Sequence, residues 1–187
     1  MVEWAGRRAF RDVLLAARAG DERAFAEIWR WLHPALRRWL SVVASGDEED
    51  IASEVWLSVA RNLGSFAGDD RDFRGWVFTI ARRRAIDWGR HRQRQPRVTA
   101  LDHVDVADHD RSSSPQAELA AAQAMLRTLT PEQREALALR VIVGMSVSET
   151  AAIVGRSEGA VRVLCHRGLR TLGRQLEADR LADGVPG

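Results

Sequence analysis

Six residues in the last third of the chain have the types and spacing to act on a nucleic acid. They stand in "EGAVRVLCHRGLR". At about 100° per residue, Gly159, Arg162, Val163, His166 and Arg170 gather on one side of a helix beginning near 158, with Arg167 at its edge. The planar guanidinium fork bonds phosphate, or the O6 and N7 atoms of guanine, bidentately. On the opposite side Val161, Cys165, Leu169, Leu172 and Leu176 form the predicted buried face, which makes Cys165 a small buried hydrophobe rather than a reactive thiol. Just upstream, "GMSVSETAAIVGRS" predicts a short helix closed by Gly155 and a turn into a new N-cap at Ser157. A short helix, a glycine turn and a second helix with a basic outer face is the helix-turn-helix arrangement, whose second helix fits a major groove. A solvated basic surface helix would leave the same pattern.

A second basic cluster lies in "ARRRAIDWGRHRQRQPR", where Arg82, Arg83, Arg84, Arg90, Arg92, Arg94 and Arg97 face one acid, Asp87. All 28 basic residues are arginine, and the net charge of +2 hides their uneven distribution. Acidic residues crowd into 47–54 and 102–110, arginines into 82–97. Such segregation suits a protein that meets nucleic acid with one surface and a protein partner with another.

Other chemistry finds little support. One cysteine and five scattered histidines predict no disulfide and no metal site, and nothing calls for a cofactor. The carboxylates sit at helix starts or in a polar connector, and "GRSEG" lacks the strand and helix context of a nucleophile or phosphate loop, so no enzyme is expected. No apolar run of about 18 residues exists. "MVEWAGRRAFRD" lacks the apolar run of a signal peptide. A cytoplasmic protein without membrane contact is expected.

The elements that must position these residues all read as helix. A short helix over about 8–19 ends near Gly20. Asp21 then caps a helix with apolar residues at Phe25, Ile28, Trp29, Leu32, Leu36, Trp39, Leu40 and Val43, in which Pro34 predicts a kink. "SGDEED" starts a third helix reaching about Leu63, its carboxylates near the positive end. Residues 64–72 read as a loop by their Gly and Asp content, and a fourth helix runs from Phe73 to about Arg92. Residues 98–115 fit no period and predict a flexible linker. A helix over 116–127 follows. "TPEQ" and "SVSE" are two capping boxes, with Gly144 and Gly155 as stops. The fold class is all-α: two small helical domains, 1–97 and 116–187, joined by the linker, the second a helix-turn-helix.

Three stretches carry a resemblance. "GDERAFAEIWRWLHPALRRWL", "DIASEVWLSVARNLGSF" and "DFRGWVFTIARRRAIDWGRHRQR" resemble the polymerase-binding and promoter-melting domain of extracytoplasmic-function (ECF) RNA polymerase sigma factors. "LTPEQREALALRVIVGMSVSETAAIVGRSEGAVRVLCHRGLRTL" resembles their second domain, in the same order, so that nearly the whole chain is covered. The resemblance implies that Asp50, Glu54, Trp56, Leu57 and Arg61 dock on core RNA polymerase. It implies that Ser65, Phe66, Asp69, Asp70 and Phe73, with Arg82, Arg83, Arg90 and Arg92, meet the −10 element, a flipped base needing a pocket with a stacking wall. Phe66 and Phe73 would serve equally as packing residues. It implies that Arg156, Glu158, Gly159, Arg162, Val163, His166, Arg167 and Arg170 meet the −35 element. Many relatives have asparagine in place of Arg83, often serine in place of Val163, and frequently arginine in place of Leu164. The implied partners are core RNA polymerase, promoter DNA and an anti-sigma factor, with the free protein a monomer. The alternative is a one-component helix-turn-helix regulator that binds its operator without polymerase.

Overall fold

The computed structural model describes residue 4, residues 8–94 and residues 124–183. The expected linker, the start of the 116–127 helix and the side chains of Arg94 and Arg97 lie outside the described residues. Every regular element among those described is helical. In the N-terminal half these are α1 (Phe10–Arg18), α2 (Glu22–Val43), α3 (Glu48–Asn62), a 3₁₀ turn (Leu63–Ser65) and α4 (Asp70–Arg94). After a helical turn at 124–127 come α5 (Pro131–Leu137), a π-helical segment (Ala138–Val143), α6 (Val147–Val154) and α7 (Glu158–Asp183).

The starts and stops follow local chemistry. The Asp21 carboxylate accepts from the N–H groups of Arg23 and Ala24 at 2.9 and 3.2 Å, which satisfies two orphan donors at the head of α2. Both expected capping boxes form, Thr130 with Gln133 and Ser146 with Glu149. Gly144 and Gly155 take left-handed conformations, φ +77° and +67°, that a side chain would resist. Residues 22–43 are helical throughout, with Pro34 on the exposed side. One detail differs from expectation. The helix before Gly144 widens into a π segment, which turns Leu139 and Val143 into the interior together with Met145.

α2 is the central element, with Ile28, Leu32, Leu36, Trp39 and Leu40 all buried. α1, α3 and α4 pack around it, and the π segment and α5 lie against it from the C-terminal half, while α6 packs on α4. Most buried apolar residues of the two halves form one cluster, with Leu129, Ala136 and Leu137 outside it. In α4 the buried positions are Phe73, Arg74, Val77, Phe78 and Ala81, a helical stripe in which one member is an arginine.

Candidate nucleic-acid and polymerase interfaces

α7 presents its basic side as expected. Arg162, Val163, His166, Arg167 and Arg170 are exposed, Val163 by 48%. Arg156, Glu158 and Gly159 are exposed at the turn before them. Ser157 caps α7 through its hydroxyl, which accepts from the N–H of Ala160 at 3.2 Å. One turn in, Arg162 donates to Glu158 at 2.7 Å, an exposed pair along the helix.

The buried side of α7 is not the leucine stripe that the sequence suggests. Leu169 is 56% exposed and Leu176 46%. The inward line is Val161, Cys165, Gly168 and Leu172, and Gly168 is where α7 crosses α5. A Cβ built on Gly168 would stand 2.6 Å from Leu137 Cδ1. Absence of a side chain lets the two helices approach, which rotates Leu169 outward. Cys165 is half-buried, and burial pushes its thiol up, partly offset by the Arg140 charge. It is a poor nucleophile.

On α3, Asp50, Leu57 and Arg61 are exposed and Glu54 half-buried, making a mixed acidic and apolar face. Trp56 is buried instead: its indole N–H donates to His33 Nδ1 at 3.1 Å, and its ring meets Phe25 edge-on. It can shape the face but offers little area to a partner. Burial lowers the His33 pKa, Glu49 raising and Arg37 lowering it further. Trp29 stacks on His33 with centroids 4.1 Å apart and lies exposed on the same side of α2.

The loop before α4 brings a correction. Phe73 is fully buried, and Phe66 nearly so, edge-to-face with Phe73 and stacked on Trp76. Phe73 packs also against Phe10. Neither ring is free to stack on a base. Both are core residues that set the loop's floor, because α4 turns Phe73 inward one residue before Arg74. Ser65 and Asp69 are exposed and Asp70 half-buried. The Asp69 carboxylate accepts from the N–H groups of Arg71 and Asp72 at 2.9 Å, so it caps α4.

The arginines of α4 divide. Arg83 and Arg90 are exposed, Arg90 near Asp87 at 3.7 Å. Arg92 is exposed and paired with Asp47. Arg82 is half-buried, and its Nε donates to Glu135 at 2.7 Å. Arg74, unnoticed in the sequence reading, is 2% exposed and donates to Glu149 at 2.7 Å. The signal for it was present: Arg74 occupies the helical stripe of Val77, Phe78 and Ala81, where an apolar residue is expected. Burial raises Glu135 above the usual glutamate value despite the hydrogen bond and charge of Arg82. Burial would raise Glu149 too, but bonds from the Ser146 hydroxyl and N–H, with Arg74, outweigh it and hold it low.

Among the described residues no cluster of His, Cys, Asp and Glu could hold a metal, and no helix is long and apolar enough to cross a membrane. What the described residues present is a helix with a mixed acidic and apolar exposed face and a basic helix in one half, and a helix-turn-helix in the other. Known proteins pair these parts in the same order. Residues 26–95 match the sigma-70 region 2 family, and residues 119–172 match the sigma-70 region 4 family. The chain is 33% identical over 174 residues to the ECF RNA polymerase sigma factor BldN of Streptomyces coelicolor, covering 90% of this chain and 66% of BldN. It is 34% identical to the ECF sigma factor ShbA of Streptomyces griseus (82% of this chain, 87% of ShbA). Against SigM of Mycobacterium tuberculosis it is 31% identical, with 94% and 89% covered. Its fold is similar to that of CnrH in complex with the cytosolic domain of CnrY, with TM-score 0.70, 27% identity, and 92% of this chain and 99% of CnrH covered. It is similar also to the sigma factor RpoE from Bartonella quintana, in complex with the anti-sigma factor NepR, with TM-score 0.66, 26% identity, and 84% and 99% covered. The order of helices, the two matched regions and relatives aligned over most of their length agree, and the chain belongs to the ECF RNA polymerase sigma factors.

Proposed function

We propose a division of labour by residue for this promoter-directing sigma factor. Residues 1–97 form the domain that docks on core polymerase and meets the −10 element, and residues 116–187 the domain that reads the −35 element, with 98–115 as connector. Asp50, Glu54, Leu57 and Arg61 make the docking face, and Trp56 holds it from beneath. Ser65, Asp69 and Asp70 edge the −10 loop, whose floor is Phe66 and Phe73. Arg83, Arg90 and Arg92 meet the duplex and the separating strand, and Arg82 joins them when it leaves Glu135. Arg162 and Arg167 read base edges in the −35 major groove, with Val163 and His166 beside them. Arg156, Glu158, Gly159 and Arg170 border the DNA backbone. The protein performs no chemistry of its own, acts in the cytoplasm and is monomeric when free. CnrH and RpoE were each solved with a bound partner, CnrY and the anti-sigma factor NepR, which supports a comparable anti-sigma factor here.

The observation that carries this reading is the separation of exposed faces. An acidic and apolar helix face lies in one half, and an exposed basic helix behind a capped turn in the other. A free-standing regulator needs only the second. The test is transcription from a cognate promoter with and without core polymerase. Specific initiation only with core enzyme supports the reading, and tight binding by the isolated protein as a dimer rejects it. Within that assay, Arg162→Ala or Arg167→Ala should cost about 1–3 kcal/mol and relax preference at one −35 position. An equal loss on every −35 sequence would reduce that arginine to a phosphate contact.

A further inference from the structure

The connection between α3 and α4 is tied at both ends to the chain that precedes α2. At its entry the guanidinium of Arg18, the last residue of α1, donates to the Gly64 carbonyl at 2.7 Å. At its exit the Trp4 N–H reaches the Asp70 carboxylate at 3.5 Å. Between these ends the Phe10 ring packs on Phe73, in the loop's floor, and on Trp4, with centroids 5.5 and 5.3 Å apart. Trp4 is itself anchored. Its indole N–H donates to the Arg8 carbonyl at 2.8 Å, Arg8 pairs with Glu27 of α2 at 3.0 Å, and its ring meets Trp31 edge-on. All the tethering residues ahead of α2 precede residue 26, where the region 2 match begins.

Local chemistry fixes the second half of this connection but not the first. A Cβ built on Gly68 would stand 2.7 Å from Asp72 Cβ and 3.0 Å from Phe66 Cζ, so the backbone there lies against its floor. Asp69 then caps α4 through its carboxylate. The entry turn, Leu63–Ser65, is a single short piece of 3₁₀ helix with poorer hydrogen-bond geometry. Arg18 gives that turn a partner from another element. The side chain is exposed, and exposed charged contacts add little to global stability. A charge-assisted bond of this length does fix the direction in which the Gly64 carbonyl points.

We propose that α1 and Trp4 brace this loop in the shape that receives an unstacked −10 base, with Arg18 and Trp4 as positioning residues. The inference rests on the −10 reading of the loop given above. A loop that samples several shapes binds only in proportion to the fraction in the receiving one, so a brace raises affinity without touching the nucleotide. Arg18 acts through the Gly64 carbonyl and the turn that leads to Phe66. Trp4 acts through Phe10 and through Asp70 at the head of α4. The two residues hold opposite ends of the same short connection, and neither belongs to it.

The experiment uses holoenzyme assembled with the full chain and a labelled single strand carrying the −10 sequence. An abasic site is placed at each −10 position in turn, and the position whose loss most weakens wild-type binding marks the received base. Arg18→Ala should weaken binding of the intact strand roughly three- to ten-fold. On the strand abasic at that position, variant and wild type should bind alike, because the loop has no base left to receive. Arg18→Lys, which can still donate to one carbonyl, should recover part of the loss. Trp4→Ala should show the same dependence on the abasic position, and Trp4→Phe, which keeps a ring against Phe10 and Trp31, should bind as wild type. Melting curves and affinity for core polymerase check that each variant folds and assembles. A loss equal on intact and abasic strands makes Arg18 a phosphate contact and overturns the brace. Wild-type affinity of Arg18→Ala for the intact strand overturns it too. If no abasic position weakens wild-type binding, the −10 reading of the loop fails first, and the brace falls with it.

Discussion

The two halves of the molecule are built by different means. All seven tryptophans and all five phenylalanines lie between residues 4 and 88, and none lies in the C-terminal half. Trp39, Phe73 and Phe78 are fully buried in the first half, whereas the largest fully buried side chains of the second are Leu139 and Met145. Aromatic rings each bury a large area and meet edge-to-face, so a few long-range contacts define the N-terminal half. The C-terminal half has two short helices packed on one long one, and little ring area. Its shape is set at its ends, by two capping boxes and two left-handed glycines, and by one close crossing at Gly168. One half can therefore be broken from its centre and the other from its corners.

The largest effect is expected from Phe73→Ala. Phe73 is fully buried among Phe10, Trp31, Phe66 and Trp76, and loss of such a ring costs about 3–5 kcal/mol. Tryptophan fluorescence reports only the N-terminal half, and far-UV circular dichroism reports both. In guanidinium titrations the fluorescence midpoint should fall most. If both signals fall together, the halves unfold as one unit and the contrast drawn between them is thermodynamically empty.

Gly168→Ala probes the opposite half. The new methyl would stand 2.6 Å from Leu137 Cδ1 and 3.5 Å from Gln133 Cβ. Overpacking costs about 1–3 kcal/mol, against which alanine recovers about 1 kcal/mol of helix propensity. A net loss of about 1 kcal/mol is expected, visible by circular dichroism and silent in tryptophan fluorescence. A stabilised variant would mean that Leu137 swings aside and that the crossing is not tight.

Ser146→Ala should follow at about 1 kcal/mol, because the Ser146 hydroxyl accepts from the Glu149 N–H at 3.1 Å while Glu149 reaches back to the Ser146 N–H. It removes also a bond that holds the Glu149 carboxyl low. A folded-state value below the unfolded one contributes stability above the ordinary glutamate range and loses it as pH falls through the folded value. In Ser146→Ala that acid-labile share should shrink. An unchanged difference between neutral and acidic melting points would show that the backbone N–H of residue 146 and Arg74 hold Glu149 without the hydroxyl.

What could be read from the sequence divides along the same line. Thr130, Gln133, Ser146, Glu149, Gly144 and Gly155 act on neighbours within a few residues, so their residue types announce the C-terminal helices. The basic face of α7 was legible for the same reason. Its buried face was not, since the choice of Gly168 over Leu169 depends on how closely α5 approaches. Phe66 and Phe73 border a loop in the sequence, but whether a ring faces a base or the core is decided by α1 and by Trp76. Arg82 reads as basic surface, and Arg74 draws no reading, because their partners lie 53 and 75 residues away. Periodicity carries no record of such partners.

The smallest and most local effect is expected at Leu164, half-buried on α7 beside a hollow of about 370 Å³ that Glu132, Arg156 and Val163 also line. Arginine at the matching place in many relatives suggests a backbone contact that leucine cannot make. Each phosphate neutralised adds about −0.9 to the slope of log K against log salt. Leu164→Arg in holoenzyme should therefore steepen the salt dependence of promoter binding by about that amount. Base preference should stay unchanged, because a phosphate contact positions without specifying. Glu132 and Arg156 make the outcome informative. If the new guanidinium turns into the hollow and pairs with Glu132, the slope stays as it was. Glu132→Gln in the same chain should then release it and restore the steeper slope. A slope unmoved in both variants, with a lowered melting temperature, would place Leu164 in the packing of α7 rather than at the DNA. It would also leave the −35 contact to the exposed side defined by Arg162, His166 and Arg167.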